Sequence, residues 1–442
     1  MNLFSRFSAS LTNFSQRYVP SSFVIALILT LFTFILGLAF TGSNLYSLVQ
    51  YWGTGFWELI SFAMQMCLII MTGYIVAVSP LVSRLLNFLA GLPKGPKSSI
   101  LLMVIISTGL SFLHWGFSLI ASAVMVRYIA AKQTKVDYPL LVASAYLGMG
   151  CTWHAGLSGS APLLMATPGN FLEKDFGLVP TSQTLFSAFN IVLLLRVFLF
   201  LCILVPNLHP SPDKTKSKLL LQPETRPPES KKQRNWSYWL DQSPILGILF
   251  GGLGIVWLFW HFLSKKGSLN LDVLNFLFLF LGILLHLRPG SFLKAAEEGG
   301  KLVYGVILQF PFYAGMFGII KYSGLAEVVA RFFVQISTER LYPVIVYWYS
   351  GVVNYFVPSG GSKWAIEAPY LLQAAHDLGV PNSKVVISYA WGDMATDLIQ
   401  PFWAIPLLSV AGLDFKDIMG YLILIFALYW SLVSLVFLLV PF

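Results

Sequence analysis

The chain has 442 residues, of which 57% are hydrophobic and only 11% are charged. A soluble domain carries about 25% charged residues, so this composition excludes an ordinary soluble protein. The net charge of +9 does not indicate a nucleic-acid partner, because the basic residues lie in loops between apolar runs, as in cytoplasmic loops of membrane proteins. Several of these runs reach the ~20 residues that span a bilayer, which predicts an all-α polytopic membrane protein.

The first membrane half is predicted to cover residues 1–206, with the N-terminus in the cytoplasm. Residues 22–40 and 57–78 are apolar enough to span. The segment of about 100–130 has basic residues on both flanks and "FLHWGFS" at its centre. Basic residues at both ends and a glycine in the centre favour a re-entrant hairpin with its tip near His114 to Gly116. Such irregular backbone at membrane depth must be buried in protein or line a water-filled cavity.

Residues 139–168 are predicted to cross the membrane as a broken helix. They contain "CTWHAGLSGSAP" (151–162), which is rich in glycine, proline and hydroxyl side chains. Residues 184–206 return to the cytoplasm and deliver the segment 207–243 there. Because that segment is basic, charged and proline-rich, we expect a flexible cytoplasmic linker between two membrane halves.

The second membrane half, 244–442, repeats this order of elements. It contains a second hairpin at about 341–379 around "NYFVPSGGSKW", and a second broken helix at 385–411 around "WGDMATDLIQPFWAIP". The total is about nine spanning helices plus two re-entrant hairpins. The other segments of this half are predicted as spans 244–263, 273–287, 302–320 and 418–442, and as an interfacial helix at 325–337.

The two halves also show weak sequence correspondence. Gln65 aligns with Gln309, and Pro162 of the first break is set opposite Pro401 of the second. The predicted direction of 57–78 is inward and that of 302–320 is outward, so the repeat is inverted. Paired, glycine- and proline-interrupted segments in two inverted halves indicate the substrate site of a secondary transporter.

The interrupted segments offer polar groups to a small ligand. A helix break leaves N–H groups free at one helical N-terminus and carbonyls free at another C-terminus, and the N-terminus favours an anion. Short side chains that can hydrogen-bond a ligand there are Ser158, Ser160, Asn354, Ser359, Ser362 and Gln400.

Charged residues at membrane depth are functional candidates by default. Lys363 could neutralise a carboxylate, pair with Glu367 one helical turn on, or extend to the interface; Arg196 has the same structural alternatives. Asp393 and Asp397, one turn apart, are candidates for a coupling proton or Na⁺, with a helix cap or an ion pair as the alternative.

His114 and His154 could relay protons, and the alternative is a hydrogen-bonded core histidine. The histidines are not spaced as metal ligands, and no cofactor is expected. The sequence contains no phosphate-binding glycine loop and no hydrolase or metalloprotease signature. An intramembrane enzyme would need a nucleophile next to a base, and His154 with Ser158 is the only nearby couple.

Several motifs resemble the short-chain fatty acid transporter family, the bacterial acetoacetate and butyrate uptake type. They are "FVPSGGSKWAIEAP", "GLSGSAPLLMATPGN", "QFPFYAG" and "QPFWAIPLLSVAGL", and the resemblance covers nearly the whole chain. The Pro-Ser-Gly-Gly stretch also resembles C4-dicarboxylate and aminobenzoyl-glutamate carriers of the broader ion-transporter superfamily. The resemblance implies an inner-membrane carrier, often a homodimer, that works by elevator-type alternating access.

The resemblance maps the superfamily's site onto the two hairpin tips and the two breaks. Some relatives have Asn in place of His114 and near Asp397, which would affect the coupling ion or the substrate. Five aromatic side chains could wall an apolar pocket: Trp115, Trp364, Trp391, Phe402 and Trp403. The implied substrate-binding set is His114, Trp115, Gly116, Ser158, Gly159, Ser160, Asn354, Pro358, Ser359, Gly360, Gly361, Ser362, Lys363 and Gln400.

The sequence therefore predicts a cation-coupled symporter that imports short monocarboxylates. H⁺ is favoured slightly over Na⁺ because His and Asp candidates are present. The alternative is a carrier of C4-dicarboxylates or other small organic anions. A dianion would favour two basic residues, and the sequence places only one near the tips. A channel is disfavoured by the paired helix breaks.

Overall fold

The computed structural model describes residues 22–212, 215–216, 236–356 and 358–440, and all regular structure within them is helical. The predicted all-α class is therefore confirmed for this part of the chain. The predicted cytoplasmic N-terminus (1–21) and most of the predicted linker, 213–214 and 217–235, lie outside the described residues.

Ten α-helices lie before the linker within residues 22–212. The first break and the first hairpin tip are both present as interruptions, since one helix ends at Cys151 and the next begins at Ser160, and one ends at Leu113 and the next begins at Trp115. The helices are α1 (Ser22–Phe40), α2 (Leu45–Gly55), α3 (Ile60–Ala77), α4 (Pro80–Leu89), α5 (Pro96–Leu113), α6 (Trp115–Lys132), α7 (Tyr138–Cys151), α8 (Ser160–Ala166), α9 (Glu173–Phe176) and α10 (Ala188–Asn207).

Eleven helices follow the linker among the described residues. The second hairpin segment is interrupted between Phe356 and Gly360, and the second break consists of two short 3₁₀ turns, Thr396–Leu398 and Phe402–Ala404. The helices are α11 (Trp236–Gln242), α12 (Pro244–Phe259), α13 (Leu271–His286), α14 (Pro289–Gly300), α15 (Tyr304–Tyr322), α16 (Leu325–Ile336), α17 (Tyr342–Phe356), α18 (Gly360–Leu378), α19 (Asn382–Ala395), α20 (Ile405–Ala411) and α21 (Phe415–Leu439).

Five helices of the described residues are long and apolar enough to cross a membrane. The bent pair α14 and α15, which meet at 49°, makes six if it forms one span. Shorter apolar helices occur at Ala26–Phe40, Tyr138–Cys151 and Leu271–His286. The first arm of the predicted hairpin, α5, is among the five, so the re-entrant course and the total of about nine spans stay predictions. The five are α3, α5, α10, α12 with its π-helical extension to Ser264, and α21.

Local sequence explains where several helices begin and end. Asp137 precedes α7, and its carboxylate accepts the Leu140 N–H at 3.0 Å. Ser187 accepts the Asn190 N–H at the start of α10. Both are side-chain caps that satisfy an N–H group without an intrahelical acceptor. Helix α18 ends at Leu378 and is followed by Gly379, whose φ of +72° is a left-handed conformation that glycine adopts without a Cβ penalty.

The same packing arrangement occurs once in each half. Helix α5 packs on α7 as α17 packs on α19, and α6 packs on α3 as α18 packs on α15. Glycines allow the close approach: a Cβ at Gly148 would lie 2.3 Å from the Ser107 carbonyl oxygen, and one at Gly392 would lie 2.0 Å from that of Tyr347. Small residues at such contacts are the usual means of close helix packing in membranes.

Side-chain hydrogen bonds also recur between the halves. In the first half, Thr152 Oγ1 donates to the Thr108 carbonyl at 3.1 Å. In the second, Thr396 Oγ1 donates to the Gly351 carbonyl at 2.9 Å. Ser107 and Ser350 likewise donate across their helix pairs, to the carbonyls of Ser144 and Tyr389. If Thr152 corresponds to Thr396, then Pro162 corresponds to Pro406 rather than to the sequence-predicted Pro401.

Candidate functional site

The two helix breaks meet in the interior of the protein. Trp153, just after α7, donates its indole N–H to Asp397 Oδ2 at 3.1 Å. Gly150 packs against Leu398 so closely that a Cβ there would lie 2.2 Å from the leucine Cγ. The first break therefore contacts the second directly, as expected for two interrupted segments that converge.

Asp397 is the centre of a buried amide network. Besides the indole, Asn354 Nδ2 donates to Oδ1 at 2.9 Å and Gln400 Nε2 donates to Oδ1 at 3.1 Å. The Asn354 amide also reaches Thr396 Oγ1 at 3.1 Å. Three N–H donors thus satisfy this carboxylate and hold α17 to the second break. Two predicted substrate-binding residues, Asn354 and Gln400, are used in this way.

Asp393, one turn earlier, belongs to a separate buried charge cluster. Its Oδ2 lies 2.7 Å from His154 Nδ1, and its Oδ1 lies 3.0 Å from Lys363 Nζ. Lys363, only 2% exposed, also donates to the carbonyl and hydroxyl oxygens of Ser350 at 2.7 and 2.8 Å. Of the sequence alternatives for Lys363, the structure supports an ion pair, but with Asp393 on α19 rather than with Glu367.

The hydrogen bonds of His154 fix its tautomer. The Ala161 backbone N–H donates to Nε2 at 3.1 Å, so Nε2 carries no proton and Nδ1–H must donate to Asp393. The ring stacks on Trp153 with 4.3 Å between centroids. His154 is therefore a hydrogen-bonded core histidine that anchors the first break, and a proton on Nε2 would cost it the Ala161 contact.

The predicted His154–Ser158 couple does not form. Ser158 Oγ instead accepts the Trp115 backbone N–H at 2.9 Å. This bond attaches the first hairpin tip to the first break. Ser160 Oγ lies 3.3 Å from His154 Nε2, but that nitrogen is already engaged by the N–H of Ala161.

The first tip is built around His114, which lies between α5 and α6 in an extended conformation. Its Nδ1 accepts the Phe117 N–H at 3.3 Å and so caps α6. Its ring packs on Phe278 at 4.0 Å between centroids, and Nε2 has no hydrogen-bond partner. His114 does not line the cavity described next, whereas Trp115 and Gly116 do.

A cavity of about 310 Å³ opens between the two tips. On one side are Pro358, Ser359 and Ser362 of the second tip, with the two hydroxyls 2.7 Å apart. The Trp403 indole N–H donates to the Pro358 carbonyl at 3.0 Å and ties the tip to the second break. The remaining lining is Trp115, Gly116, Leu119 and Ile120 of α6, Ile70 and Tyr74 of α3, Leu302, Tyr304, Gly305, Val306, Gln309, Phe310 and Tyr313 in and before α15, and Phe402, Ile405 and Pro406 near α20.

Two glycines allow close packing at the second tip. A Cβ at Gly360 would lie 2.7 Å from Asp393 Oδ2 and 2.7 Å from His154 Cε1. A Cβ at Gly361 would lie 2.8 Å from the Phe62 ring. The Gly-Gly pair lets α18 begin against the first break, with the hydroxyls of Ser359 and Ser362 on the cavity side.

The sequence-predicted residues therefore divide into two groups. Trp115, Gly116, Pro358, Ser359 and Ser362 line the cavity. The other predicted residues do not line the cavity and lie in the tips and breaks around it: His114, Ser158, Gly159, Ser160, Asn354, Gly360, Gly361, Lys363, Asp393, Asp397 and Gln400.

The aromatic and basic candidates divide as well. Trp403 and Phe402 line the cavity with Trp115. Trp391 points elsewhere and donates to Asn190 at 2.9 Å, and Trp364 packs on Tyr389. Arg196 is exposed on α10, which agrees with its structural alternatives.

Sequence reasoning missed two contributors. Ser350 holds Lys363, and Trp153 connects the breaks. The signal for Trp153 was its position inside the predicted break. Within the described ranges, no group of three or more His, Cys, Asp or Glu side chains could hold a metal ion.

Apolar spans, interrupted helices and a cavity where the interruptions meet define a polytopic membrane protein of the transporter class. Solved transporter structures share this fold. The Alcanivorax borkumensis YdaH transporter matches with a TM-score of 0.60 at 15% identity, covering 94% of this chain and 98% of that one. Neisseria gonorrhoeae MtrF, described among antimetabolite efflux pumps, matches with a TM-score of 0.52 at 14% identity, covering 99% and 98%.

Sequence comparison identifies the family. Residues 3–440 match the family described as short chain fatty acid transporter. A protein of Escherichia coli (strain K12), provisionally named short-chain fatty acid transporter, is 37% identical over 95% of this chain and 96% of its own length. A protein of Haemophilus influenzae with the same provisional name is 34% identical over 95% and 96%. The chain belongs to the short-chain fatty acid transporter family.

Proposed function

We propose that this protein imports short monocarboxylates such as acetoacetate and butyrate across the bacterial inner membrane. The observation that carries the proposal is the composition of the cavity. Its wall is mostly apolar and aromatic, with the hydroxyls of Ser359 and Ser362 at the N-terminus of α18. That end suits one carboxylate, because helical N–H groups without acceptors and hydroxyls favour an anion, and the apolar remainder suits a short alkyl chain.

The charge pattern favours a monoanion over a dianion. Lys363 is the basic residue nearest the second tip, but it is paired with Asp393 and does not line the cavity. The described residues that line the cavity include no Lys, Arg or His side chain. A C4-dicarboxylate would therefore bring a second carboxylate into an apolar space without a cation, which is unfavourable.

We further propose cation-coupled, elevator-type alternating access between two inverted repeats. The recurrent hydrogen bonds of Thr152 and Thr396, and the recurrent close contacts of Gly148 and Gly392, support a repeat. Interrupted helices at corresponding positions of two halves are typical of secondary transporters. H⁺ or Na⁺ as the coupling ion, with Asp393 and Asp397 as candidates, and a homodimer with cytoplasmic N-termini belong to the same proposal.

An intramembrane enzyme is disfavoured by the geometry of the first break. His154 Nε2 accepts the Ala161 N–H, and Ser158 Oγ accepts the Trp115 N–H. Neither residue lines the cavity. A nucleophile and its base must lie within hydrogen-bonding reach of each other and beside the substrate. His154 and Ser158 meet neither condition, because each bonds a backbone N–H instead and neither lines the cavity.

Counterflow in proteoliposomes tests the function. Vesicles loaded with unlabelled butyrate should accumulate external radiolabelled butyrate transiently, which a channel cannot do, and unlabelled succinate should not compete. Leu119→Trp, which fills the cavity wall, should abolish counterflow. Leu31→Trp is the matched control, since Leu31 is 65% exposed on α1. Absence of counterflow in the unaltered protein, or strong competition by succinate, would contradict the monocarboxylate assignment.

A further inference from the structure

Glu367 is a buried carboxyl that the site described above does not use. It lies on α18 one turn after Lys363, is 2% exposed, and its Oε2 has no hydrogen-bond partner. The Tyr349 hydroxyl interacts with the carboxyl, but its 2.8 Å hydrogen bond is with the Tyr370 hydroxyl. An ionised carboxylate buried with an oxygen that has no hydrogen-bond partner would be costly, whereas a neutral carboxylic acid costs much less.

Lys363 is not available to neutralise Glu367. Its ammonium has three N–H donors. Two of them donate to the carbonyl and hydroxyl oxygens of Ser350, and the nitrogen also lies 3.0 Å from Asp393 Oδ1. The charges of Lys363 and Asp393 therefore cancel, and His154 is neutral because Nε2 accepts the Ala161 N–H. An ionised Glu367 would add one unbalanced negative charge to a buried cluster.

Three further cations lie on the helices packed around α18, and none of them is among the groups that act on Glu367. Lys384 is half-buried in the first turn of α19. On α16, Glu327 and Arg331 are exposed at the surface. On α15, Lys321 pairs with Asp175 at 3.0 Å. The titratable groups that act on Glu367 are Lys363 and Tyr370 on α18 itself, Asp393 and Tyr389 on α19, and Tyr349 on α17.

The two aspartates are poorer proton carriers than Glu367. Asp397 accepts three N–H donors. Asp393 Oδ2 accepts the His154 Nδ1–H, and its Oδ1, which accepts no hydrogen bond, forms an ion pair with the Lys363 ammonium at 3.0 Å. Protonation of either carboxylate would break contacts that hold the helix breaks together, at a cost of about 1–3 kcal/mol for each buried group left without its partner. Glu367 has no such contact to break, so it can gain and lose a proton while the site stays assembled.

We propose that Glu367 takes up and releases the coupled proton during transport. The inference rests on the proposed carrier function. On one side of the membrane the carboxylate binds one proton and becomes a neutral acid that is compatible with burial; on the other side it gives the same proton up. Tyr349 is half-buried, its hydroxyl lies 2.8 Å from that of Tyr370, and both rings pack on Phe333 of α16. This phenol pair is the polar pair next to Glu367 through which we propose that the proton passes.

Infrared spectroscopy tests the proton without any substrate. Purified protein at neutral pH should show the carbonyl stretch of a protonated carboxylic acid, and Glu367→Gln should lose that band. Glu327→Gln, which replaces an exposed carboxylate on α16, should leave the band unchanged. Tyr349→Phe keeps the carboxyl and should shift the band to higher frequency. An identical band in Glu367→Gln and in the unaltered protein overturns the proposal, and an unshifted band in Tyr349→Phe removes the tyrosine route.

Transport assays test the coupling. In proteoliposomes, Glu367→Gln should keep butyrate counterflow but lose the acceleration of uptake by an imposed pH gradient, while Glu327→Gln keeps both. Uptake by Glu367→Gln that still follows the pH gradient as in the unaltered protein overturns the proposal. If no form of the protein moves butyrate, the substrate assignment fails on its own, and the infrared band still decides whether Glu367 holds the proton.

Discussion

Removal of the Lys363 ammonium should destabilise the protein strongly. In Lys363→Met the aliphatic stem is kept, but Asp393, which is 0% exposed, keeps its carboxylate with only neutral His154 beside it. Breaking a buried ion pair by removing one partner costs about 3–5 kcal/mol. We therefore expect the free energy of unfolding, measured by denaturant titration in mixed micelles, to fall by that amount.

The double variant Lys363→Met/Asp393→Asn distinguishes the interaction energy of the ion pair from the separate effects of the two substitutions. With both charges gone, the carbonyl oxygen of the introduced amide can still accept the His154 Nδ1–H, so the loss should be smaller than the sum of the two single losses. Lys301→Met is the matched control, because its ion pair with Glu298 is exposed to solvent, and no measurable change is expected. If Lys363→Met is as stable as this control, or if the loss in the double variant equals the sum of the two single losses, Lys363 and Asp393 do not form a stabilising buried ion pair.

Three further outcomes follow from the cavity and the breaks. Ser359→Ala/Ser362→Ala should raise the KM for butyrate uptake at least about tenfold, since hydrogen bonds to a charged group contribute about 1.5–3 kcal/mol each; an unchanged KM would place the carboxylate elsewhere. Gly392→Ala should prevent recovery of monodisperse protein on size-exclusion chromatography, because the added Cβ lies 2.0 Å from a carbonyl oxygen, whereas Gly420→Ala, with nothing within 4 Å, should behave normally. Asp397→Asn should lower the free energy of unfolding by about 1–3 kcal/mol. The introduced amide has one oxygen and one NH₂ group, so its NH₂ must face one of the three N–H donors that the carboxylate now accepts; unaltered stability would contradict this hydrogen-bond network.

The helix interruptions were predictable because their cause is local. The run "CTWHAGLSGSAP" contains glycine and proline where a continuous helix would need helix formers, and the structure ends α7 at Cys151 and begins α8 at Ser160. The same chemistry at Pro358 to Gly361 starts α18. Hydrophobic runs likewise predicted the main helices to within a few residues.

The partners of the buried charges were not predictable, because they depend on which helices pack together. From the sequence alone, Lys363 has Glu367 one turn away, and nothing local favours Asp393, which lies on another helix. The direction of Trp391 is also a tertiary property: its indole meets Asn190 of the first half. Only the packed structure shows that it leaves the cavity wall to Trp115 and Trp403.

The most direct test of the account is uptake of radiolabelled butyrate into proteoliposomes under an imposed pH gradient and then under a Na⁺ gradient, with unlabelled succinate as competitor. A proton-coupled monocarboxylate carrier should show uptake that follows the pH gradient and that succinate does not reduce. Uptake that is absent under both gradients, or that succinate suppresses, would contradict a monocarboxylate carrier; uptake driven by Na⁺ alone would contradict the proton role of Glu367.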